Sequence, residues 1–147
     1  MNKVILMGRL TRDPEVRYSQ SETSLAIARY TLAVNRKFKR DGEPDADFIN
    51  CVAFGKQGEF AEKFMKKGQM ICICGRIQVR SYEEQTGQKR WITEIVVEEQ
   101  SFAESKSSFE ARIKNNNNQD DYADDSVSTQ NSDSSVLDEL DEEDLPF

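Results

Sequence analysis

The chain of 147 residues is long enough for one domain with a substantial core. It contains no histidine, so the commonest general base is missing and most nucleophilic arrangements for catalysis are excluded. The net charge of −7 is uneven: residues 1–106 carry 18 Lys and Arg against 15 Asp and Glu, and residues 107–147 carry 2 against 12. We therefore predict a non-enzymatic protein with a mildly basic body and an acidic tail.

Cysteine usage points to a reducing compartment. Cys51, Cys72 and Cys74 lie in apolar runs, where a free thiol behaves as a small hydrophobic side chain. Three cysteines without histidine cannot complete a structural zinc site of four sulfur or imidazole ligands. We predict no metal, no cofactor and no catalytic residue. No run of 18 apolar residues and no N-terminal signal segment occurs, so we expect an intracellular protein without membrane contact.

Five segments carry strand signals. In the first, Val4, Leu6 and Leu10 recur at the period of two that places side chains on one face. The last two segments are joined by QTGQ, whose Gly87 marks a hairpin turn. Trp91 is in phase with apolar neighbours, and we predict that it belongs to the core or to an interface. The predicted strands are residues 3–12, 24–36, 47–55, 69–84 and 90–99.

One amphipathic helix interrupts the strands, over residues 56–68. Its Phe60 and Phe64 recur at the helical spacing of four and are predicted as core, and Gly68 supplies a stop signal. The order of three strands, a helix and two strands predicts an all-β OB-fold. This is a five-stranded barrel over residues 1–106 with one helix between strands 3 and 4. A sandwich or a small SH3-like barrel is also compatible with the pattern.

The composition changes after the predicted barrel. From residue 115 to the end there are eleven acidic residues, no basic residue and few large apolar side chains. Such a segment cannot bury enough apolar surface to offset the entropy of ordering it. We predict a disordered acidic linker over residues 107–140. The last seven residues, 141–147, are set apart because they end in the apolar sequence Leu-Pro-Phe.

Alternation sorts the side chains of the fourth predicted strand onto two faces. The apolar face, which we predict to be core, consists of Ile71, Ile73, Ile77 and Val79. The opposite face is basic with an aromatic residue at its end and consists of Arg76, Gln78, Arg80 and Tyr82. In the third predicted strand, Phe48 and Phe54 alternate with the smaller Ile49, Cys51 and Ala53. If the smaller side chains point inward, both phenylalanines stand on the open side of the sheet.

A strongly basic segment, NRKFKRDG, follows the second predicted strand and contains Phe38 among four cations. Aromatic side chains can stack on bases while cations follow the phosphates, and neither contact reads a base edge. This combination predicts sequence-tolerant binding of single-stranded nucleic acid. The cations predicted to contact phosphates are Arg36, Lys37, Lys39, Arg40, Arg76 and Arg80.

Five motifs in order give the chain a family resemblance. They are MNKVILMGRLTRDPEVRY, TLAVNR, VAFGK, MKKGQMICICGRIQVRSYEEQTGQKRW and the terminal DEEDLPF. Together they resemble the bacterial and bacteriophage single-stranded DNA-binding proteins of the homotetrameric OB-fold type. The resemblance covers residues 1–104 and the last seven residues. It implies base stacking on Phe38, Phe48, Phe54 and Tyr82, where some relatives have tryptophan instead.

The resemblance also implies a cellular role. Such proteins coat single-stranded DNA in replication, recombination and repair, in the cytoplasm near the nucleoid, or in the host cytoplasm if phage-encoded. Their acidic tip is a docking peptide for partner enzymes. Physically, a terminal aromatic can fill an apolar pocket while the neighbouring carboxylates meet a basic rim. The corresponding residues are Asp141, Glu142, Glu143, Asp144, Leu145, Pro146 and Phe147.

Three other functions are weighed against this one. An RNA-binding OB module of the cold-shock kind lacks its clustered aromatic motifs here. A metal-dependent nuclease would need preorganised carboxylates, whereas the acidic cluster lies in the predicted disordered tail. An interaction hub with secondary DNA binding would depend on Phe147. The charge asymmetry further predicts that the tail contacts the cationic DNA face of its own oligomer and competes with DNA.

Overall fold

The computed structural model of the chain describes residues 1–117, which form six strands and two helices. In chain order these elements are β1 (Val4–Leu10), β2 (Glu15–Tyr18), β3 (Ala26–Asn35), β4 (Ala46–Phe54), α1 (Lys56–Phe64), β5 (Met70–Glu83), β6 (Lys89–Phe102) and α2 (Lys106–Asn117). No helix among these residues is long and apolar enough to cross a membrane. The predicted linker beyond residue 117 and the tip, residues 141–147, lie outside the described residues.

The strands form one sheet that closes on itself. Its order is β1-β5-β6-β4-β3-β2, and an additional pairing of β1 with β3, Arg9 opposite Ala33, completes a ring of five strands. All neighbours are antiparallel except β4 and β6. This confirms the predicted barrel with a helix after its third long strand. The sixth strand, β2, was not predicted, because its four residues include only one apolar side chain that faces the barrel, Val16.

The core fills the ring of strands and is closed at one end by α1. Its buried apolar side chains come from every strand of the ring and include Leu10, Ala28, Tyr30, Leu32, Cys51, Ala53, Ala61, Met65, Ile71, Ile73, Ile95 and Val97. Burial raises the pKa of the Cys51 thiol to about 12, so this thiol stays protonated at neutral pH. Burial also raises the pKa of Tyr30, whose hydroxyl donates to Gln100 Oε1 at 2.8 Å. Cys51 is thus a core residue, as predicted, while Cys72 and Cys74 are only half-buried.

The hairpin of β5 and β6 extends beyond the barrel, and this corrects one prediction. Ile73 and Ile77 have the same phase along β5, yet Ile73 is 1% exposed and Ile77 is 44% exposed. The reason is the number of neighbouring strands. β1 pairs with β5 only as far as Gly75, so the later residues have β6 alone beside them. Ile77 and Val79 are therefore exposed in the single chain, contrary to the predicted core face.

The change in exposure coincides with an irregularity in the ladder. Cys74 pairs with Glu99, but Gly75 pairs with Val97, so Glu98 has no direct partner on β5. Gly75 is in close contact with the neighbouring strand, because a Cβ atom there would lie 2.2 Å from the carbonyl oxygen of Val96. Only glycine fits this close approach of two backbones.

The two helices differ from the predictions in their limits. Phe64, predicted as core, is instead exposed at the last residue of α1. Helix α1 ends at Phe64 rather than at residue 68, and Gly68 lies in the following turn with a positive φ of 86°. Helix α2 occupies residues that were predicted to begin the disordered linker, so the prediction is wrong for 107–117. Its ordering has a packing cause. Phe109 is buried, and Arg112 lies 5.5 Å from the Phe109 ring centroid while binding Glu104.

Candidate nucleic-acid interface

Strand register places three of the predicted stacking residues on one face of the sheet. Residues directly opposite each other in neighbouring strands share a face. Phe48 and Phe54 of β4 share theirs with Val52, and Val52 pairs with Val96 of β6. Alternate residues of β6 from Val96 to Arg90 continue this face to β5. Their partners on β5 are Arg76, Gln78, Arg80 and Tyr82. We call this surface of β3, β4, β6 and β5 the outer sheet face.

The aromatic side chains on or near the outer sheet face are exposed. Phe48 is 66% exposed, and Phe54 and Tyr82 are also exposed. The smaller Cys51 and Ala53 point into the core, which answers the question that alternation in β4 leaves open. Val52 is the exception, because it shares the phase of the phenylalanines and is nevertheless buried.

Phe38 lies in the loop between β3 and β4 and is 77% exposed. The ammonium of Lys37 is 5.7 Å from the Phe38 ring centroid, a cation–π distance. Neither side of this ring is buried in the barrel. The structure therefore leaves all four predicted stacking residues accessible to a ligand.

Arg36 holds the base of this loop. Its Nε and Nη2 atoms donate to Asp47 Oδ1 at 2.9 and 2.6 Å, and its backbone N–H donates to the Asp45 carbonyl at 2.9 Å. The guanidinium of Arg36 lowers the pKa of the Asp47 carboxyl. Lys39 contacts the Asp45 carboxylate at 3.3 Å. Arg36 and Lys39 are thus both engaged with acids of their own loop.

The two predicted cations of β5 are also paired with acids. Arg80 Nε donates to Glu94 Oε1 at 3.0 Å, and Glu94 is buried. Arg76 Nη1 lies 3.7 Å from Glu98 Oε1, and Glu98 also accepts a hydrogen bond from Lys3. Within the described residues Arg80 donates only through Nε. The N–H groups of its two terminal nitrogens therefore have no partner there.

The predicted phosphate contacts therefore divide into two groups. Arg36, Lys39, Arg76 and Arg80 form ion pairs, whereas Lys37 and Arg40 form none within residues 1–117. Sequence reasoning overlooked one further cation, Arg29 of β3. Arg29 is exposed between Val52 of β4 and Glu15 of β2, and its side chain forms no ion pair among residues 1–117. Alternation with buried Ala28 and Tyr30 was the signal that could have identified it.

Trp91 lies on the other side of the hairpin. It pairs with Ser81, one residue out of phase with Tyr82, and is 70% exposed. The prediction that Trp91 belongs to the core of the chain is therefore wrong, and its alternative assignment to an interface stays a prediction. Among the described residues, no group of three or more acidic or cysteine side chains is arranged to hold a metal ion.

The fold and this surface define a class: a closed five-stranded OB-type barrel with exposed aromatics between cations on one sheet face. Residues 1–103 match the Single-strand binding protein family, and the chain belongs to this family.

Several curated proteins are similar over most or all of their length. The chain is 43% identical to "Single-stranded DNA-binding protein 3" of Clostridium acetobutylicum over 147 residues, which cover 100% of both chains. It is 42% identical to "Single-stranded DNA-binding protein 3" of Listeria innocua over 161 aligned residues, 100% of this chain and 99% of the relative. It is 54% identical to "Single-stranded DNA-binding protein 1" of Streptococcus pyogenes over 99 residues, 67% of this chain and 75% of the relative.

Proposed function

We propose that this protein binds single-stranded DNA with little sequence preference through its outer sheet face and the loop that carries Phe38. The observation that carries the proposal is the exposure of Phe38, Phe48, Phe54 and Tyr82, three of them on one face. A large aromatic gains nothing from facing water, whereas it can stack on an unpaired base. The names of the similar proteins, all single-stranded DNA-binding proteins, support the same ligand.

Stacking supplies the sequence-tolerant part of the affinity. Each base–aromatic stack contributes about 1–3 kcal/mol by alanine substitution, because every base has a π-face. Duplex DNA hides these faces in its own stack, so the same surface should discriminate against it. The closed barrel fixes β4, the strand that carries both Phe48 and Phe54, which lowers the cost of ordering the site.

Cations follow the sugar–phosphate backbone. Lys37, Arg40 and Arg29 have no ion pair within the described residues and can meet a phosphate directly. Glu94 holds Arg80 by one N–H, which leaves terminal N–H groups for a phosphate oxygen. Arg36 contributes differently, since its two hydrogen bonds to Asp47 fix the loop that presents Phe38.

Membership of the family supports a proposal for the wider role. We propose that the protein coats and protects single-stranded DNA during replication, recombination and repair in the cytoplasm. It acts as a homotetramer and recruits partner enzymes through residues 141–147. The acidic and apolar composition of this tip supports docking to a basic, apolar pocket on a partner. The Phe147→Ala variant separates partner recruitment from DNA binding: capture by a partner enzyme should vanish while binding of single-stranded DNA persists. Light scattering of the purified protein tests the tetramer.

The DNA-binding proposal is tested by titrating the full chain with labelled oligo(dT) and with a matching duplex at several salt concentrations. We expect tight binding to the single strand, weak binding to the duplex and a modest salt slope, because stacking contributes beside ion release. The double variant Phe38→Ala, Phe54→Ala should lose about 2–6 kcal/mol of binding free energy. Equal weak binding to both nucleic acids, unchanged in the variant, would refute the proposal.

A further inference from the structure

A concave surface, separate from the outer sheet face, lies between the end of α1 and helix α2. This groove has a volume of about 630 Å³. Its apolar walls come from Phe64, Phe102, Phe109 and Ile113. Phe64, Phe102 and Ile113 are exposed there, although large apolar groups normally avoid water. We call this surface the helix groove.

The helix groove is held open by one ionic network. Glu104 accepts hydrogen bonds from Arg112 Nη1 at 2.8 Å and from the Met70 backbone N–H at 2.9 Å. Arg112 Nη2 donates to the Gly68 carbonyl at 2.7 Å, and Arg9 contacts both Gly68 and Glu104. These bonds fix α2 against the barrel, so the side of the groove that α2 forms is firmly attached.

The rim of the helix groove carries three lysines, Lys63, Lys66 and Lys67, that form no ion pair within residues 1–117. Three acids also line the groove. Glu104 binds Arg112, Glu110 lies 3.8 Å from Lys106, and Asp13 accepts the Lys67 backbone N–H at 2.8 Å. An apolar wall beside free lysines suits a ligand that has an apolar end flanked by carboxylates.

We propose that the helix groove binds the C-terminal tip of this same chain, residues 141–147. The tip has the required chemistry, since four consecutive acids, Asp141 to Asp144, precede the apolar residues Leu145, Pro146 and Phe147. The apolar side chains enter between Phe64 and Ile113, and the carboxylates meet the three lysines.

The connecting chain is long enough for this contact. Helix α2 ends at Asn117, four residues after the groove residue Ile113, so the chain leaves the structure within about 6 Å of the groove along the helix axis. A coil of the length of residues 118–140 has an average end-to-end distance of about 25–30 Å. The tip can therefore return to the groove of its own chain without strain.

Shape favours the helix groove over the outer sheet face as the place where the tip lies. Both surfaces carry cations without an ion pair among the described residues, such as Arg29 on the outer sheet face. That face is open, however, whereas the groove can enclose an apolar side chain. The inference goes beyond the proposed function, because it holds whether or not DNA binds. Its consequence is that a partner enzyme must draw the tip out of the groove, while the DNA face stays free.

The site is tested first by ¹⁵N TROSY spectra of the full chain, wild type against Phe147→Ala. We expect amide shift differences in residues 63–69 and 105–113, unchanged on dilution, because the tip belongs to the same oligomer. Differences confined to β4, β5 and the Phe38 loop would overturn the proposal in favour of the DNA face. Differences that vanish on dilution would assign the groove to the tip of another oligomer and would overturn the proposal. No difference in residues 1–117 would also overturn it.

The chemistry is tested with a labelled peptide of residues 138–147 added to the full chain carrying Phe147→Ala, whose own tip no longer competes. The double variant Lys63→Glu, Lys67→Glu should weaken peptide binding by about tenfold or more. The matched control is Lys56→Glu, an exposed lysine at the other end of α1. Equal weakening by the control would indicate general attraction to a basic surface and would refute the site, and unchanged oligo(dT) binding verifies that the variants are folded.

Discussion

The outer sheet face and the helix groove both combine exposed aromatics with cations, yet they differ in shape and in charge pairing. The sheet face is open, and Arg80 and Arg76 are oriented there by Glu94 and Glu98. The groove is concave, and its three lysines have no ion pair within residues 1–117. An open face can stack a row of bases, whereas a pocket accepts a single apolar side chain. Similar composition thus serves two different ligands because backbone geometry differs.

The acids near each surface also have different consequences. On the sheet face, Glu94 leaves part of the Arg80 guanidinium available while fixing its direction. Beside the groove, the Glu104 carboxylate binds Arg112 of α2 and the Met70 backbone N–H. Glu104 therefore attaches α2 to the barrel, whereas Glu94 orients a cation for a ligand. A substitution of only one of these acids should therefore change only one of the two surfaces.

The largest expected effect concerns the support of the sheet face. Ile73→Ala should destabilise the protein by about 2–5 kcal/mol, because it leaves a cavity in the barrel. Ile77→Ala, the same residue type in the same phase of β5, should cost less than about 1 kcal/mol, because Ile77 is exposed outside the barrel. Urea unfolding monitored by circular dichroism measures both. An equal cost would show that the distal hairpin is covered in the oligomer.

A smaller effect is expected from the wall of the groove on acidification. The hydrogen bond from Arg112 lowers the pKa of Glu104 from 4.5 to about 2. A depressed pKa gives stability that is present above the ordinary value and is lost as the pH falls from about 4.5 towards 2. Wild type should therefore lose about 1–2 kcal/mol more than Glu104→Gln over this range.

Melting temperatures of both proteins between about pH 6 and pH 2.5 test this prediction, since the difference between them removes the contribution of other carboxyls. Parallel acid profiles would mean that Glu104 does not hold α2. Binding of oligo(dT) at neutral pH should be the same in both proteins, because Glu104 is not on the outer sheet face.

The smallest effect is expected from Arg29, the cation that sequence reasoning overlooked. Arg29→Ala should weaken oligo(dT) binding only slightly and should reduce the salt slope by about 0.7, the value for one phosphate contact on a single strand. Lys56→Ala on α1 is the control and should leave the slope unchanged. If the two slopes agree, Arg29 does not meet a phosphate.

Much of the fold was predictable because its signals are local. The alternation in β4 separated Phe48 and Phe54 from Cys51 and Ala53, and the order of strands and helix predicted the barrel. The exposure of Ile77 was not predictable in this way, since it depends on where β1 stops pairing with β5. The ion pair of Arg80 with Glu94 likewise depends on the register between β5 and β6, which cannot be read from the sequence.

Helix α2 shows a second limit of local reasoning. Its asparagine-rich end reads as a linker, and its order depends on Phe109 and Arg112 reaching the barrel. Composition averages over such a segment and misses two anchoring side chains. The helix groove could not be predicted for the same reason, because α2 forms one of its walls.

The most direct test of the account compares Phe48→Ala with Phe64→Ala in an oligo(dT) titration of the full chain. Phe48 and Phe64 are 66% and 55% exposed, so the two variants are matched in residue type and accessibility. Phe48→Ala should lose about 1–3 kcal/mol, roughly 5- to 150-fold in affinity, and Phe64→Ala should bind as wild type does. Unchanged binding by Phe48→Ala, or an equal loss in Phe64→Ala, would contradict the assignment of single-stranded DNA to the outer sheet face.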